Sequence, residues 1–108
     1  MQGFTIGEAA LRTGWSARML RYLEAAQLVV PPRTESGYRA YGLTELNRLR
    51  QLGEIRRRYR VEIAEMAFAA RLDRDPRLRA AVQRWLEGGR RTDWVDWEQR
   101  KQERLLAA

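Results

Sequence analysis

The sequence contains no cysteine and no histidine, and Lys101 is its only lysine. The first two absences remove disulfides, thiol nucleophiles, Cys/His zinc sites and imidazole acid–base chemistry. No apolar run approaches the roughly 18 residues needed to cross a bilayer. No signal peptide opens the chain, so a cytoplasmic protein without a membrane partner is expected. A phosphate-binding glycine loop is also missing, and the acidic residues are spaced mostly as exposed helix positions. A catalytic site would have to rest on carboxylates, Lys101, Ser or Thr. The expectation is therefore no enzyme, no metal and no cofactor.

What the chain has instead is arginine. Of its 108 residues, 21 are basic and 14 acidic, for a net charge of +7. Residues 1–60 hold 11 basic and 5 acidic groups, and residues 61–108 hold 10 and 9. A basic half beside a near-neutral half is the footprint of a polyanion-binding module joined to a packing or assembly segment. A generally solvated basic surface is the plainer reading of the same charges.

Local signals place the elements. Thr5-Ile6-Gly7-Glu8 has the form of a capping box. Gly14 stops the helix that follows, and Ser16 caps the next. Leu20 and Leu23 line the buried side of this second helix, with Arg18, Arg21 and Tyr22 on the outer side. A tight turn between two short helices fits a helix-turn-helix, and a plain helical hairpin is its alternative. Val29-Val30, the turn Glu35-Ser36-Gly37 and Tyr38-Arg39-Ala40-Tyr41 suggest a small β-hairpin. Tyr38 and Tyr41 could pack on the helices or face a ligand. Leu46, Leu49, Leu52 and Ile55 give a third helix its apolar side, ending in Arg56-Arg57-Arg58-Tyr59-Arg60. That run is either a solvated helix end or a phosphate clamp.

A fourth helix spans about Val61 to Leu72. After Pro76, Leu78, Ala81, Val82, Trp85 and Leu86 form an amphipathic stripe. Gly88-Gly89 is expected to end that helix, and Asp93 to cap a last one bearing Trp94, Trp97, Lys101 and Leu105. Trp85, Trp94 and Trp97 crowd the tail, which points to a fold-back or, preferentially, to a subunit interface. The fold class is mainly α, a winged helix-turn-helix with a two-stranded β wing and C-terminal helices. The expected division is residues 1–72 for DNA binding and 73–108 for dimerisation.

Taken together, Thr5 to Ala10, Arg12-Thr13-Gly14, Ser16 to Glu24, Arg33-Thr34 and Gly37 to Tyr41 resemble the N-terminal DNA-binding domain of the MerR family of bacterial regulators. The resemblance covers roughly residues 4–72. It implies a homodimer on a double-stranded operator or promoter in the bacterial nucleoid, with RNA polymerase as the partner served by promoter distortion. Carried over, Ser16, Arg18, Arg21 and Tyr22 become recognition-helix contacts. Arg33, Tyr38, Arg39 and Tyr41 become wing contacts, while Arg57, Arg58 and Arg60 are reinforcing candidates on their own charge, since Arg58-Tyr59-Arg60 departs from the family's Gly-Phe-Ser segment. Leu23 departs from the second tyrosine common in the family, and Gly42 from its usual polar cap. The metal- and redox-sensing branches use cysteine, which this chain lacks. An excisionase-like architectural protein and an adaptor whose Trp-rich tail binds another protein remain open.

Overall fold

The computed structural model describes residues 3–107, except for the side chains of residues 91–99, 102 and 107. It is helical, in the order α1 Ile6–Thr13, α2 Ala17–Ala25, α3 Leu43–Tyr59, α4 Ile63–Arg74 and α5 Pro76–Ala107. The chain divides into two units, residues 1–71 and 72–108. Among the described residues no helix is long and apolar enough to cross a membrane.

The N-terminal unit is set by short-range chemistry first. The Thr5 hydroxyl accepts from the Glu8 amide at 3.1 Å, and the Glu8 carboxylate accepts from the Thr5 amide at 3.0 Å. This reciprocal box satisfies two amides that the helix start leaves free. The Thr5 backbone amide foremost, and then the Thr5 hydroxyl, hold the Glu8 carboxyl below its ordinary pKa. Gly14 ends α1 at φ 82°, a left-handed conformation that costs an L side chain about 1 kcal/mol or more. Its amide donates to the Ala10 carbonyl at 2.9 Å. The chain then turns at once into α2, where the Ser16 hydroxyl accepts from the Met19 amide at 3.1 Å.

Packing follows from the apolar spacing. Ala9, Leu20, Leu23, Leu46, Leu49, Leu52 and Ile63 form one core with Trp15, Leu28, Val29 and Tyr41. Trp15 locks the α1–α2 turn to α3, its indole N–H donating to the Leu49 carbonyl at 2.9 Å. α4 contributes Ile63, with Met66, Ala67 and Ala70 packed behind it.

The expected two-stranded wing takes a shorter form. No strand occurs among the described residues. Instead residues 32–40 form a hairpin-like loop with one antiparallel bridge, Arg33 to Arg39. The Thr34 amide donates to Tyr38 and the Ala40 amide to Pro32, at 2.8 and 2.9 Å. Pro31 and Pro32 have no N–H, so the pairing cannot extend as a ladder in that direction. A second bridge joins Tyr41 to Phe4, fastening the end of the loop to the residues before α1.

The tail also differs from expectation. Gly88-Gly89 does not end a helix, because α5 runs unbroken from Pro76 to Ala107. Each glycine costs about 1 kcal/mol relative to Ala inside a helix. That is a weakening rather than a stop, and no proline follows Pro76 to enforce one.

Candidate nucleic-acid interface

α2 is short, and its apolar side is committed to the core. Leu20 and Leu23 are fully buried. Helical geometry then turns positions 18, 21 and 22 outward together. Arg18, Arg21 and Tyr22 are exposed, and Ser16 is exposed at the N-terminus of the same helix. The Ser16 hydroxyl already works as the cap, accepting from the Met19 amide. The exposed row carries two guanidinium groups and a phenol, groups that donate to base edges or phosphate oxygens.

The loop beside α2 is tied to it by Glu24, a residue not singled out as a site from the sequence. One Glu24 carboxylate oxygen takes Arg33 Nη2 at 2.7 Å, and the other takes Arg39 Nε at 2.9 Å. Arg33 also donates to the Gly37 carbonyl at 3.2 Å. One carboxylate thus holds both arginines of the loop bridge against the end of the second helix. The signal was available only as an acidic residue amid basic ones, and which cations it would meet depends on the loop's path.

The remaining candidates separate. Tyr38 is 74% exposed at the loop tip. Tyr41, expected on the sequence to touch DNA, is 0% exposed and belongs to the core. The Phe4 bridge draws its backbone inward, and its ring fills space between the helices instead of facing solvent. Arg57, Arg58 and Arg60 are exposed at the end of α3. Arg58 lies 5.7 Å over the ring of Tyr59, and Arg60 takes a left-handed φ of 54° just past the helix.

The candidates for assembly lie in the C-terminal unit. Trp85 and Leu105 are 76% and 70% exposed on α5, and Lys101 is exposed as well. The side chains of Trp94 and Trp97 lie outside the described residues.

Comparison with known proteins bears on the N-terminal unit most directly. Residues 5–41 match the family model described as MerR family regulatory protein. The chain is 48% identical over 46 residues to the heavy metal-dependent transcription regulator 2 of Rhizobium meliloti (strain 1021), covering 42% of this chain and 31% of that protein. It is 43% identical over 47 residues to the HTH-type transcriptional regulator HmrR of Rhizobium leguminosarum bv. viciae, covering 44% and 36%. With the HTH-type transcriptional regulator CueR of Salmonella typhi it shares 35% identity over 77 residues, covering 70% and 55%. The chain therefore spans from about a third to just over half of the length of these relatives.

Proposed function

We propose, from the match of residues 5–41 to the model of the MerR family regulatory proteins, that the chain is a sequence-specific, double-stranded-DNA-binding transcription regulator. The observation that carries this reading is the outward row Arg18, Arg21 and Tyr22 on a helix whose opposite side is locked into the core. In the proposal, α2 enters the major groove and Arg18 and Arg21 contact base edges or adjacent phosphates. The loop bearing Arg33, Tyr38 and Arg39 grips the flanking backbone, and Arg57, Arg58 and Arg60 add phosphate contacts. Promoter distortion on behalf of RNA polymerase belongs to the same proposal, as does a homodimer formed through α5. Support for the dimer comes from the apolar side chains Trp85, Leu105 and Leu106, which α5 exposes. The metal dependence in one relative's name is not carried over, since these 108 residues contain neither Cys nor His.

The test is binding to duplex DNA selected from a genomic library, followed by anisotropy at two salt concentrations. Affinity is expected to fall roughly tenfold or more per doubling of salt if six to eight phosphates are contacted. Arg18→Ala combined with Arg21→Ala is expected to weaken specific binding by roughly a hundredfold or more. Both side chains are exposed, so the melting temperature stays near that of the parent. Retained specific binding in this variant would remove α2 as the recognition element.

A further inference from the structure

A second basic feature of the N-terminal unit is a cavity rather than a face. The α1–α2 turn and α3 border an open hollow of about 370 Å³. Thr13 and Trp15 line it from the turn, and Leu49, Arg50, Arg56 and Arg57 from α3. Positions 50, 53 and 57 recur every three to four residues and so share one side of the helix. Gly53, in the middle of that side, is buried. A Cβ there would stand 3.3 Å from an Arg57 guanidinium nitrogen and 3.7 Å from the Trp15 ring. The missing side chain leaves the hollow open between cation and indole.

The neutral polar groups of the wall are already engaged. The Thr13 hydroxyl donates to the Ala9 carbonyl at 2.7 Å, and the Trp15 indole N–H to the Leu49 carbonyl at 2.9 Å. The side-chain hydrogen-bonding capacity left to an occupant is that of the guanidinium groups. Arg56 lies 5.7 Å over the Trp15 ring. No Asp or Glu lines the hollow, and the ion pairs among the described residues both belong to Glu24. Three like charges around one opening repel one another, and an anion relieves that repulsion. A single carboxylate offers one charge and two oxygens to three cations. A phosphate group offers more of both, in the fork geometry that guanidinium matches.

We infer that this cavity is a seat for a phosphate group. Two sources share that chemistry. One is the backbone of the DNA held by α2, because residues 13–15 run directly into Ser16 and that helix. The other is a free phosphorylated small molecule, whose apolar part would lie against Trp15 in a volume within the range of ligand sites. Only the DNA source rests on the function proposed above.

Inorganic phosphate and pyrophosphate are titrated into the ¹⁵N-labelled chain, with chloride at matched ionic strength as control. The expected result is a saturable, phosphate-specific shift of the Trp15 indole and of the Nε signals of Arg50, Arg56 and Arg57. Binding should weaken at least tenfold in Arg50→Gln/Arg56→Gln. It should weaken similarly in Gly53→Leu, which keeps every charge and fills the hollow. The double variant alters exposed positions and decides the matter if Gly53→Leu does not fold. The same variants are then compared on duplex DNA. A salt slope reduced by about 0.9 for each seat assigns the occupant to the DNA backbone. An unchanged slope in variants that have lost the phosphate shifts assigns it to a free ligand. Chloride shifts equal to those of phosphate, with the slope unchanged, overturn the inference, as does wild-type phosphate binding by folded Gly53→Leu. Failure of the DNA reading would appear separately, as insensitivity to Arg18→Ala with Arg21→Ala.

Discussion

The phenol of Tyr41 sets a buried polar atom against the packing of its own ring. The ring is fully buried, and its hydroxyl has no hydrogen-bond partner among the described residues. An unsatisfied buried group costs about 1–3 kcal/mol, while the ring's burial returns a comparable amount. Burial raises the Tyr41 pKa above its ordinary 10.0, with Glu24 adding to the shift and Arg39, Arg33 and Arg21 opposing it. An unfolded chain loses this proton near the ordinary value, and the folded chain keeps it to higher pH. The contribution is therefore full below about pH 10 and is lost as pH rises through the folded value. Tyr41→Phe is expected to leave DNA affinity unchanged and to stabilise the protein by up to about 1 kcal/mol at neutral pH. Its melting temperature should also fall less than that of the parent between about pH 9 and 11. Equal alkaline losses, or reduced DNA binding at neutral pH, would return Tyr41 to the surface. The sequence left Tyr38 and Tyr41 equivalent because both sit in one aromatic stretch. What separates them is a bridge to Phe4, thirty-seven positions away (41 − 4), which no local pattern encodes.

Between elements, the decisive link is Glu24, which joins α2 to a loop with little pairing of its own. A two-stranded ribbon is marginal without packing, and this one has a single bridge. Partly exposed ion pairs contribute about 0–1 kcal/mol, so the link sets loop order more than global stability. Glu24→Gln is accordingly expected to lower stability by less than about 1 kcal/mol. Hydrogen exchange should quicken at the Thr34 and Ala40 amides, whose partners are Tyr38 and Pro32, and stay unchanged at Leu20 and Leu23. Equal exchange at all four would mean that the backbone pairing alone holds the loop. The first two helices' starts and the stop at Gly14 were the most legible part of the fold, because the capping box, Gly14 and Ser16 act within four residues. The Leu20, Leu23, Leu46, Leu49 and Leu52 spacing fixed which sides turn inward for the same reason. Less legible were the wing, where two prolines cut the pairing short, and the cavity beside Trp15, which requires a turn and a distant helix to meet.

For the whole molecule, charge is partitioned along the chain. The first 60 residues carry a net +6 (11 − 5) and the remaining residues +1 (10 − 9). Two copies can therefore approach through α5 with little net repulsion while keeping their basic units free for a polyanion. Period 3.6 places Leu78, Val82 and Trp85 on one side of α5, and Trp85 is 76% exposed. The isolated chain thus leaves uncovered one of the residue types that most often anchor interfaces. Truncating a central interface Trp costs about 2 kcal/mol or more, roughly thirtyfold in dissociation constant. In sedimentation equilibrium, Trp85→Ala is expected to raise the dimer dissociation constant by that factor, and its loss in melting temperature relative to the parent should grow with protein concentration. A melting temperature that falls equally at every concentration would instead place Trp85 in contacts within its own chain. A dimer that survives the substitution unchanged would move the interface elsewhere on α5. The consequence reaches DNA, because a paired operator is read with half-sites held about one helical turn apart. A variant that no longer dimerises is expected to bind a single half-site with the affinity of the parent unit and to lose its preference for the spaced pair.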